Sequence, residues 1–230
     1  MVPLSFASQE LLLVDGRALF WPREQTLLLA DLHLEKASYF AGHGQMLPPY
    51  DSRETLERVA DAVKRTGARR VITLGDNFHD SEGTTRLEPY AAGMLEALTR
   101  ALDWVWITGN HDETMHRAFG GTLAEEVELG GIILRHIAQA GETRPELSGH
   151  FHPKLRVNVR ERHISRPCGV ISRTSIGTDR MILPAFGSLT GGMDAGSPEI
   201  LAALQPASTI DAVLAAKGKL AKFPIWRDAA

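Results

Sequence analysis

Five short motifs of Asp, Asn and His follow one another along the chain, and their side chains are of the types that bind divalent metal ions. The motifs are Asp31-Leu32-His33, Gly75-Asp76-Asn77-Phe78-His79-Asp80, Gly109-Asn110-His111-Asp112, the single His136 and Gly149-His150-Phe151-His152. Carboxylate, amide oxygen and imidazole suit hard or borderline ions, and no motif contains a cysteine that would select a softer metal. We therefore expect a metal centre assembled from distant parts of the sequence.

A short apolar segment precedes each of the first four motifs, and we predict that these segments are buried β-strands. They are Thr26 to Ala30, Arg70 to Leu74, Trp104 to Thr108 and Ile132 to Leu134. In a layered α/β sheet the carboxyl ends of the strands open into a shared crevice. Side chains that are far apart in sequence can converge there, as a site for two metal ions requires.

The remaining sequence predicts helices and further strands around the same core. Asp15-Gly16, between Leu11 to Val14 and Ala18 to Phe20, is typical of a β-hairpin. Helices are predicted near Leu34 to Ala41, from a cap at Asp51 or Ser52 to Gly67, and from Pro89 to Leu102. Beyond Val127 the pattern mostly predicts strands, although Thr209 to Ala216 favours a short helix. Helices that flank two packed sheets would accommodate this order.

Length and composition indicate one domain, residues 1–230, with a core at about 11–192 and a less readable tail at about 201–230. The 230 residues, of which 43% are hydrophobic, can bury a sizeable core. A net charge of −3 argues against a protein that coats nucleic acid by charge alone. The single cysteine, Cys168, excludes an intrachain disulfide, and the sequence has neither a signal-peptide pattern nor a membrane-spanning apolar segment. We expect a cytoplasmic protein that binds no membrane.

The motifs resemble those of the calcineurin-like metallophosphoesterase superfamily, and the resemblance covers most of Leu11 to Gly192. That family has Asp-x-His, Gly-Asp-x-x-(Asp or His), Gly-Asn-His-(Asp or Glu), His and Gly-His-x-His in this order. Flanking segments are similar to the bacterial metallophosphoesterase associated with a DNA ligase and a DNA-repair helicase. These segments are Ala30 to Lys36, Gly75 to Asp80, Arg166 to Cys168 and Leu183 to Gly192. The resemblance implies a four-layer αββα sandwich and a phosphodiesterase or endonuclease that acts on DNA in repair.

The resemblance also implies which residues hold two metal ions. One ion would be held by Asp31, His33, Asp76 and His152, and the other by Asp76, Asn110, His136 and His150. Asp76 would bridge the ions, which in such sites lie ~3.5–4 Å apart, and a hydroxide between them would attack phosphorus in line with the leaving oxygen. In the family a glycine often follows the histidine of the fourth motif. No glycine follows His136 in this chain, so His136 is the weakest member of the set. The expected ions are Mn²⁺, with Zn²⁺ or Fe²⁺ as alternatives.

Three further residues receive catalytic roles from the same resemblance. His111 is expected to protonate the leaving oxygen as a general acid, a task suited to imidazole near neutral pH. Asp112 would orient either the ring of His111 or a neighbouring loop. His79 would contact the phosphate or support the metal ligands.

A basic segment directly after the last motif bears on the substrate. Lys154 to Arg173 contains six Lys or Arg residues against one acid, and strand alternation places Arg156, Asn158 and Arg160 on one face. Arg156 and Arg160 either hold the phosphates that flank the scissile bond or simply keep an exposed strand soluble and unpaired. The sequence does not choose between these alternatives.

Two other functions compete with a nuclease. The first is hydrolysis of a small phosphoester such as a nucleotide, a dinucleoside polyphosphate or a cyclic dinucleotide. The second is a non-catalytic scaffold, as found among superfamily members that have lost metal ligands. Every ligand position is filled in this chain, which disfavours the scaffold.

Overall fold

The computed structural model describes residues 1–112, 119–159 and 162–228, and it contains two seven-stranded sheets. Across the first sheet the strands run in chain order: β1 (Val2–Phe6), β2 (Gln9–Val14), β3 (Ala18–Trp21), β4 (Thr26–Leu29), β5 (Arg70–Leu74), β6 (Asp103–Ile107) and β7 (Thr122–Ala124). The second sheet has the order β16 (Lys219–Arg227), β15 (Thr209–Ala216), β13 (Gly169–Arg173), β14 (Asp179–Ile182), β10 (Glu146–Ser148), β9 (Ile132–Arg135) and β8 (Glu126–Leu129). A separate hairpin consists of β11 (Lys154–Val159) and β12 (Arg162–Pro167).

Helices cover the outer faces of both sheets, so the molecule has four layers. They are α1 (Lys36–Gly42), α2 (Asp51–Thr66), α3 (Gly83–Arg86), α4 (Pro89–Ala101) and α5 (Pro198–Ala203). One core cluster packs α2 and α4 on the first sheet, a second lies between the sheets, and a third packs α5 on the second sheet. The predicted αββα sandwich is confirmed. Within the described ranges, no helix is long and apolar enough to cross a membrane.

The parallel strands at the centre of each sheet bring the motifs together. β4, β5 and β6 are adjacent and parallel, so the motifs that begin at Asp31, Gly75 and Gly109 emerge at one edge of the first sheet. β9 and β10 are parallel in the second sheet and deliver the last two motifs in the same way. The backbone N–H of His150 donates to Oδ2 of Asp31 at 3.0 Å, which joins the two edges. The expectation that the motifs lie at strand ends is confirmed.

The predicted cap of α2 is wrong, although the end of the helix is as expected. Tyr50 occupies the N-cap position without a side-chain hydrogen bond, and Gly67 ends the helix in a left-handed conformation with φ 68°. Asp51 and Ser52 lie inside the helix, and both are buried. Their side chains bond to the backbone N–H groups of Ala37 and Glu35 on the α1 side, which is a tertiary use that local capping rules do not foresee.

The short helix expected from Thr209 to Ala216 is also wrong, because this segment forms β15. It pairs with β13 on one side and with β16 on the other. Ile210 and Ala212 are buried while Asp211 between them is half-buried, as strand alternation requires. The alanine content favours a helix locally, but pairing on both sides outweighs that preference.

Backbone hydrogen bonds hold the segment after β14 against the Asp31-Leu32-His33 motif. The N–H of Phe186 donates to the carbonyl of Ala30 at 2.8 Å, and the N–H of Gly187 donates to that of Asp31 at 3.2 Å. A Cβ on Gly187 would lie 2.1 Å from the carbonyl oxygen of Leu32. Only glycine therefore fits at position 187 without displacing the loop that carries Asp31.

We expect Gly187→Ala to destabilise the protein, because a methyl group at this position collides with backbone. Overpacking of this kind costs about 1–3 kcal/mol, which corresponds to a melting temperature lower by roughly 2–12 °C in a protein of this size. Differential scanning calorimetry would measure the shift. Gly191→Ala is the matched control, since a Cβ at Gly191 meets no atom within 4 Å. Equal melting temperatures for the two variants would contradict the expectation.

Candidate metal centre

Two groups of side chains converge where the strand ends meet. In each group, one potential ligand atom per residue lies within 4.8 Å of all the others. The groups are Asp31, His33, Asp76 and His152, and Asp76, His136 and His150. Asn110 adjoins the second group, since its Oδ1 lies 3.0 Å from Nε2 of His136. Asp76 is common to both groups. The structure thus brings together all seven residues of the two implied ligand sets.

The surroundings of His136 fit a cation. Its Nδ1 lies 2.9 Å from the carbonyl oxygen of Leu74, which can only accept, so Nδ1 carries the proton. In a neutral ring Nε2 then presents a lone pair, yet it faces Oδ1 of Asp76 at 3.3 Å and Nδ1 of His150 at 3.2 Å. A positive charge among these atoms turns their mutual repulsion into attraction. The donor types and their spacing fit a divalent ion.

The first group likewise brings imidazole nitrogens and carboxylate oxygens close together, as a cation between them would require. Nε2 of His33 lies 3.2 Å from Nε2 of His152 and 3.6 Å from Oδ2 of Asp76. Asp31 is fully buried and Asp76 is 3% exposed, so two neighbouring carboxylates are withdrawn from water. Burial raises the pKa of Asp76, and the nearby charge of Asp31 adds to that effect while His136 opposes it. Buried anions of this kind need a compensating charge, which metal ions provide.

Most of the converging residues have left-handed backbone conformations. The φ angles are 53° at Asp31, 45° at His33, 46° at Asp76, 74° at His150 and 48° at His152. Each such residue costs of order 1–3 kcal/mol, and the cost persists only where the surrounding structure enforces it. The turns direct the side chains inward immediately after the strands end. This strain supports a functional rather than a structural purpose for the cluster.

The motif glycines allow the strand-end loops to approach one another. A Cβ on Gly75 would lie 2.2 Å from Nδ1 of His136, and one on Gly109 would lie 2.3 Å from Oδ1 of Asp76. A Cβ on Gly149 would lie 2.8 Å from Oδ2 of Asp31. Any larger residue would push a potential ligand away from its partners.

Asp112 connects two of the loops that carry potential ligands. Its carboxylate accepts from the backbone N–H groups of Gly109, Asn77 and Phe78 and from the side-chain amide of Asn77. Burial raises the pKa of Asp112, and these backbone donors oppose the shift. Of the two alternatives raised by the sequence, the contacts match orientation of a loop rather than of the His111 ring.

His111 presents one ring nitrogen to the centre. Its Nδ1 lies 2.6 Å from the backbone carbonyl of His79, so this nitrogen donates a proton to that oxygen. The other nitrogen, Nε2, lies 4.0 Å from Oδ2 of Asp76. The backbone N–H of His111 donates to Oδ1 of the same carboxylate at 3.1 Å. The ring is thereby oriented with Nε2 on the side of Asp76.

His79 lies against His111, and the two rings are stacked at 5.3 Å with an interplanar angle of 19°. Burial lowers the pKa of His79 to about 4, and the positive charges of Lys36 and His111 add to the effect. The ring is therefore neutral near pH 7. His79 belongs to neither group of potential metal ligands among the described residues.

The basic hairpin begins two residues after His152. Arg156 is exposed, and its Nη2 donates to the carbonyl of Gly192 at 3.2 Å. Gly192 packs so closely that a Cβ would lie 2.6 Å from the carbonyl oxygen of His152. Arg156 is thus attached to the rim of the centre. Arg160, the other predicted substrate-binding residue, lies outside the described residues.

Sequence motifs did not single out two aromatic residues that border the site. Tyr39 and Phe40 of α1 place their rings 4.8 Å and 5.5 Å from the ring of His79. The available signal was their position one to two helical turns after the Asp-x-His motif. That signal is weak, because paired aromatic residues on a short helix more often serve packing.

Three kinds of comparison relate this chain to known proteins. The family model for calcineurin-like phosphoesterases matches residues 25–216 and confirms the resemblance seen in the motifs. The crystal structure of the nuclease MPE of Pseudomonas putida matches with a TM-score of 0.69 and 27% identity, covering 96% of this chain and 98% of that chain. The phosphoesterase Yfce of E. coli has a TM-score of 0.44 and 14% identity, covering 87% and 98%. A sequence search of the curated proteins finds no match.

We expect Asp76→Ala to lose both metal ions, because this substitution removes the residue that the two groups share. His152→Ala removes a residue of the first group only and should retain about one ion of two. Inductively coupled plasma mass spectrometry of the purified variants measures metal content directly. His163→Ala, on the exposed strand β12, is the control and should match the unmodified protein in metal content. Wild-type metal content and full activity in Asp76→Ala would exclude a shared ligand.

Proposed function

Since this chain belongs to the calcineurin-like phosphoesterase family, we propose that it is a metal-dependent phosphodiesterase that cleaves nucleic acid. The observation that carries the proposal is the pair of ligand groups that share Asp76, with Nε2 of His111 beside them. The choice of a nucleic-acid substrate is supported by the 27% identity to a nuclease over 96% of the chain. The hydrolysis of phosphoesters itself follows from the family.

The residues have distinct tasks in this reaction. Two bound divalent ions would supply charge for the phosphoryl oxygens and activate water as the nucleophile. Asp31 and Asp76 contribute the negative charge that holds the ions, and the imidazoles complete the two ligand sets. In its protonated form His111 gives the Nε2 proton to the leaving oxygen. The carbonyl of His79 keeps the His111 ring in the orientation that this transfer requires.

The family resemblance gives Mn²⁺ as the expected activating ion, and the ligand types are compatible with it. All of the donors are oxygen or imidazole nitrogen, and the only cysteine, Cys168, is buried in the core behind the second sheet. Such a set suits Mn²⁺, with Zn²⁺ and Fe²⁺ as alternatives. Activity measured across these ions after chelation would rank them.

The β11–β12 hairpin supports a polymeric substrate. Its exposed side chains include Arg156, Asn158, Arg162, His163 and Arg166, and it starts directly beside His152. Cations arranged along an arm beside the metal centre can bind the phosphates that flank the scissile one. We extend the proposal to DNA as the substrate, in cytoplasmic repair alongside a ligase and a helicase, on the strength of the motif resemblance.

Hydrolysis of a substrate panel tests the proposal. The panel contains single-stranded and duplex DNA, RNA, bis(p-nitrophenyl) phosphate and a phosphomonoester, each under several added metals. Cleavage of DNA within the chain supports an endonuclease. Efficient turnover of mononucleotides or dinucleotides without cleavage of polymers would instead establish a small-molecule phosphoesterase.

We expect His111→Asn to slow chemistry without loss of metal. Removal of a general acid costs about 10²- to 10⁴-fold in turnover when the leaving group is a poor one, such as the alkoxide of a nucleoside. A nitrophenolate leaves with little protonation, so nitrophenyl esters should be hydrolysed at nearly the normal rate. Steady-state kinetics on both substrate types, with metal analysis, measures the difference. Equal losses on both types would remove the general-acid role.

We expect Arg156→Ala to weaken binding of nucleic acid and to spare a minimal diester that reaches only the metal centre. Each phosphate contact that is lost lowers the slope of log K against log salt by about 0.7 to 0.9. Fluorescence anisotropy over a salt series measures this slope. Lys222→Ala on β16 is the control because it removes an exposed positive charge from a strand at the edge of the second sheet. An unchanged slope in Arg156→Ala would mean that the hairpin is merely solvated.

A further inference from the structure

Helix α1 lies beside the candidate metal centre and is held in place by side chains of α2 and α3. A helix of seven residues is too short to be stable alone, so its position depends on these contacts. The hydrogen bonds run from Ala37 N–H to Asp51 Oδ2 at 3.0 Å, from Ser52 Oγ to Glu35 Oε1 at 2.7 Å, and from Arg86 Nε to Ser38 Oγ at 3.1 Å. The residues that α1 carries are therefore presented in a fixed orientation.

Two half-buried aromatic residues of α1 continue the row of imidazole rings that leads to the centre. Phe40 stacks on His79 at 5.5 Å with an interplanar angle of 27°, and His79 stacks on His111. Tyr39 meets His79 edge-on at 4.8 Å. The row ends at His111, whose Nε2 is 4.0 Å from a carboxylate oxygen of Asp76. The aromatic rings are thus only two ring-to-ring steps away from the reacting position.

A positive charge accompanies the rings on the same face of the helix. Lys36, Tyr39 and Phe40 are spaced i, i+3 and i+4, which places them side by side. Lys36 is half-buried, and no carboxylate of the described residues lies within 4 Å of its ammonium group. Burial lowers the pKa of Lys36, and the charges of Asp51 and Asp76 oppose that shift.

We propose that Tyr39 and Phe40 form a subsite for a nucleobase, and that Lys36 binds a phosphate of the same nucleotide. The subsite rests on the proposed nucleic-acid substrate and specifies how the nucleotide next to the scissile bond is held. Aromatic rings stack on bases of any sequence, and a cation beside them binds the backbone, which is the chemistry of single-stranded nucleic-acid binding. Because the row adjoins His111, the base belongs to the nucleotide on the leaving-group side.

The test compares two single-stranded oligonucleotides of equal length. One carries normal bases, and the other carries stable abasic residues throughout, so that every phosphate is kept and every base is removed. The unmodified protein should cleave the base-bearing strand with a kcat/KM higher by about 5- to 150-fold, the range for one base–aromatic stack. Binding of both strands to the metal-loaded His111→Asn variant, whose turnover is slow, should show the same preference when it is measured by anisotropy.

Variants of the two rings separate stacking from a structural role. Phe40→Leu and Tyr39→Leu keep apolar bulk but should reduce the preference for the base-bearing strand, and the double variant should abolish it. Phe40→Trp should keep the preference. Lys36→Met should weaken binding of both strands equally, because the proposed contact of Lys36 is with a phosphate, which both strands keep. Tyr90→Leu, an exposed aromatic residue at the start of α4, is the control and should change nothing.

The outcomes distinguish failure of the subsite from failure of the proposed function. If the unmodified protein cleaves both strands equally, or if the double variant keeps the full preference, the subsite is excluded while the nuclease stands. If it hydrolyses bis(p-nitrophenyl) phosphate but neither strand, the nucleic-acid function is excluded and the subsite falls with it. A preference that disappears in the ring variants, with metal content and melting temperature retained, establishes the subsite.

Discussion

The structure depends on how two buried carboxylates, Asp31 and Asp76, are compensated at the junction of the two sheets. Both are almost fully withdrawn from water, and burial together with their mutual repulsion raises the pKa of Asp76. Backbone N–H groups of His111 and His150 point at these carboxylates from different loops. Hydrogen bonds alone do not neutralise two charges at this depth, and divalent ions held by these carboxylates and the surrounding imidazoles would do so. Bound ions would therefore also stabilise the junction between the sheets.

The need to compensate the charges of Asp31 and Asp76 explains features that would otherwise be unfavourable. Left-handed backbone at Asp31, His33 and Asp76 costs free energy, and glycine at positions 75 and 109 sacrifices packing. Each of these features shortens the path from a strand end to the point where the ligand groups meet. Because the centre is assembled from loops of both sheets, a change in one loop reaches the others through direct contact. Asp112 shows this coupling, because its carboxylate accepts hydrogen bonds from the backbone N–H of Phe78 in the second motif and from that of Gly109 in the third.

Much of the centre could be predicted because its chemistry is local in sequence. Apolar strands, the polar residues that follow them and the order of the motifs are all visible in the chain, and they predicted that the motifs converge. The division into two ligand groups came from the family resemblance. The backbone angles were not visible, since a positive φ at His33 or His152 results from tertiary constraint rather than residue preference. Helix propensity failed at Thr209 to Ala216, where pairing on two sides decides the structure. The cap of α2 failed because Asp51 is used by another helix.

The distribution of charge is compatible with the polyanionic substrate proposed for this acidic chain. The formal net charge is −3, and part of that negative charge is concentrated at Asp31 and Asp76. Two divalent ions would reverse the sign of this region and make the loaded protein slightly positive overall. Cations outside the centre lie on α1 and on the β11–β12 hairpin, which border it at His79 and at His152. A strand that crosses the centre from Lys36 to Arg156 would meet a positive charge at each end and bound ions between them, although the net charge of the metal-free chain predicts repulsion.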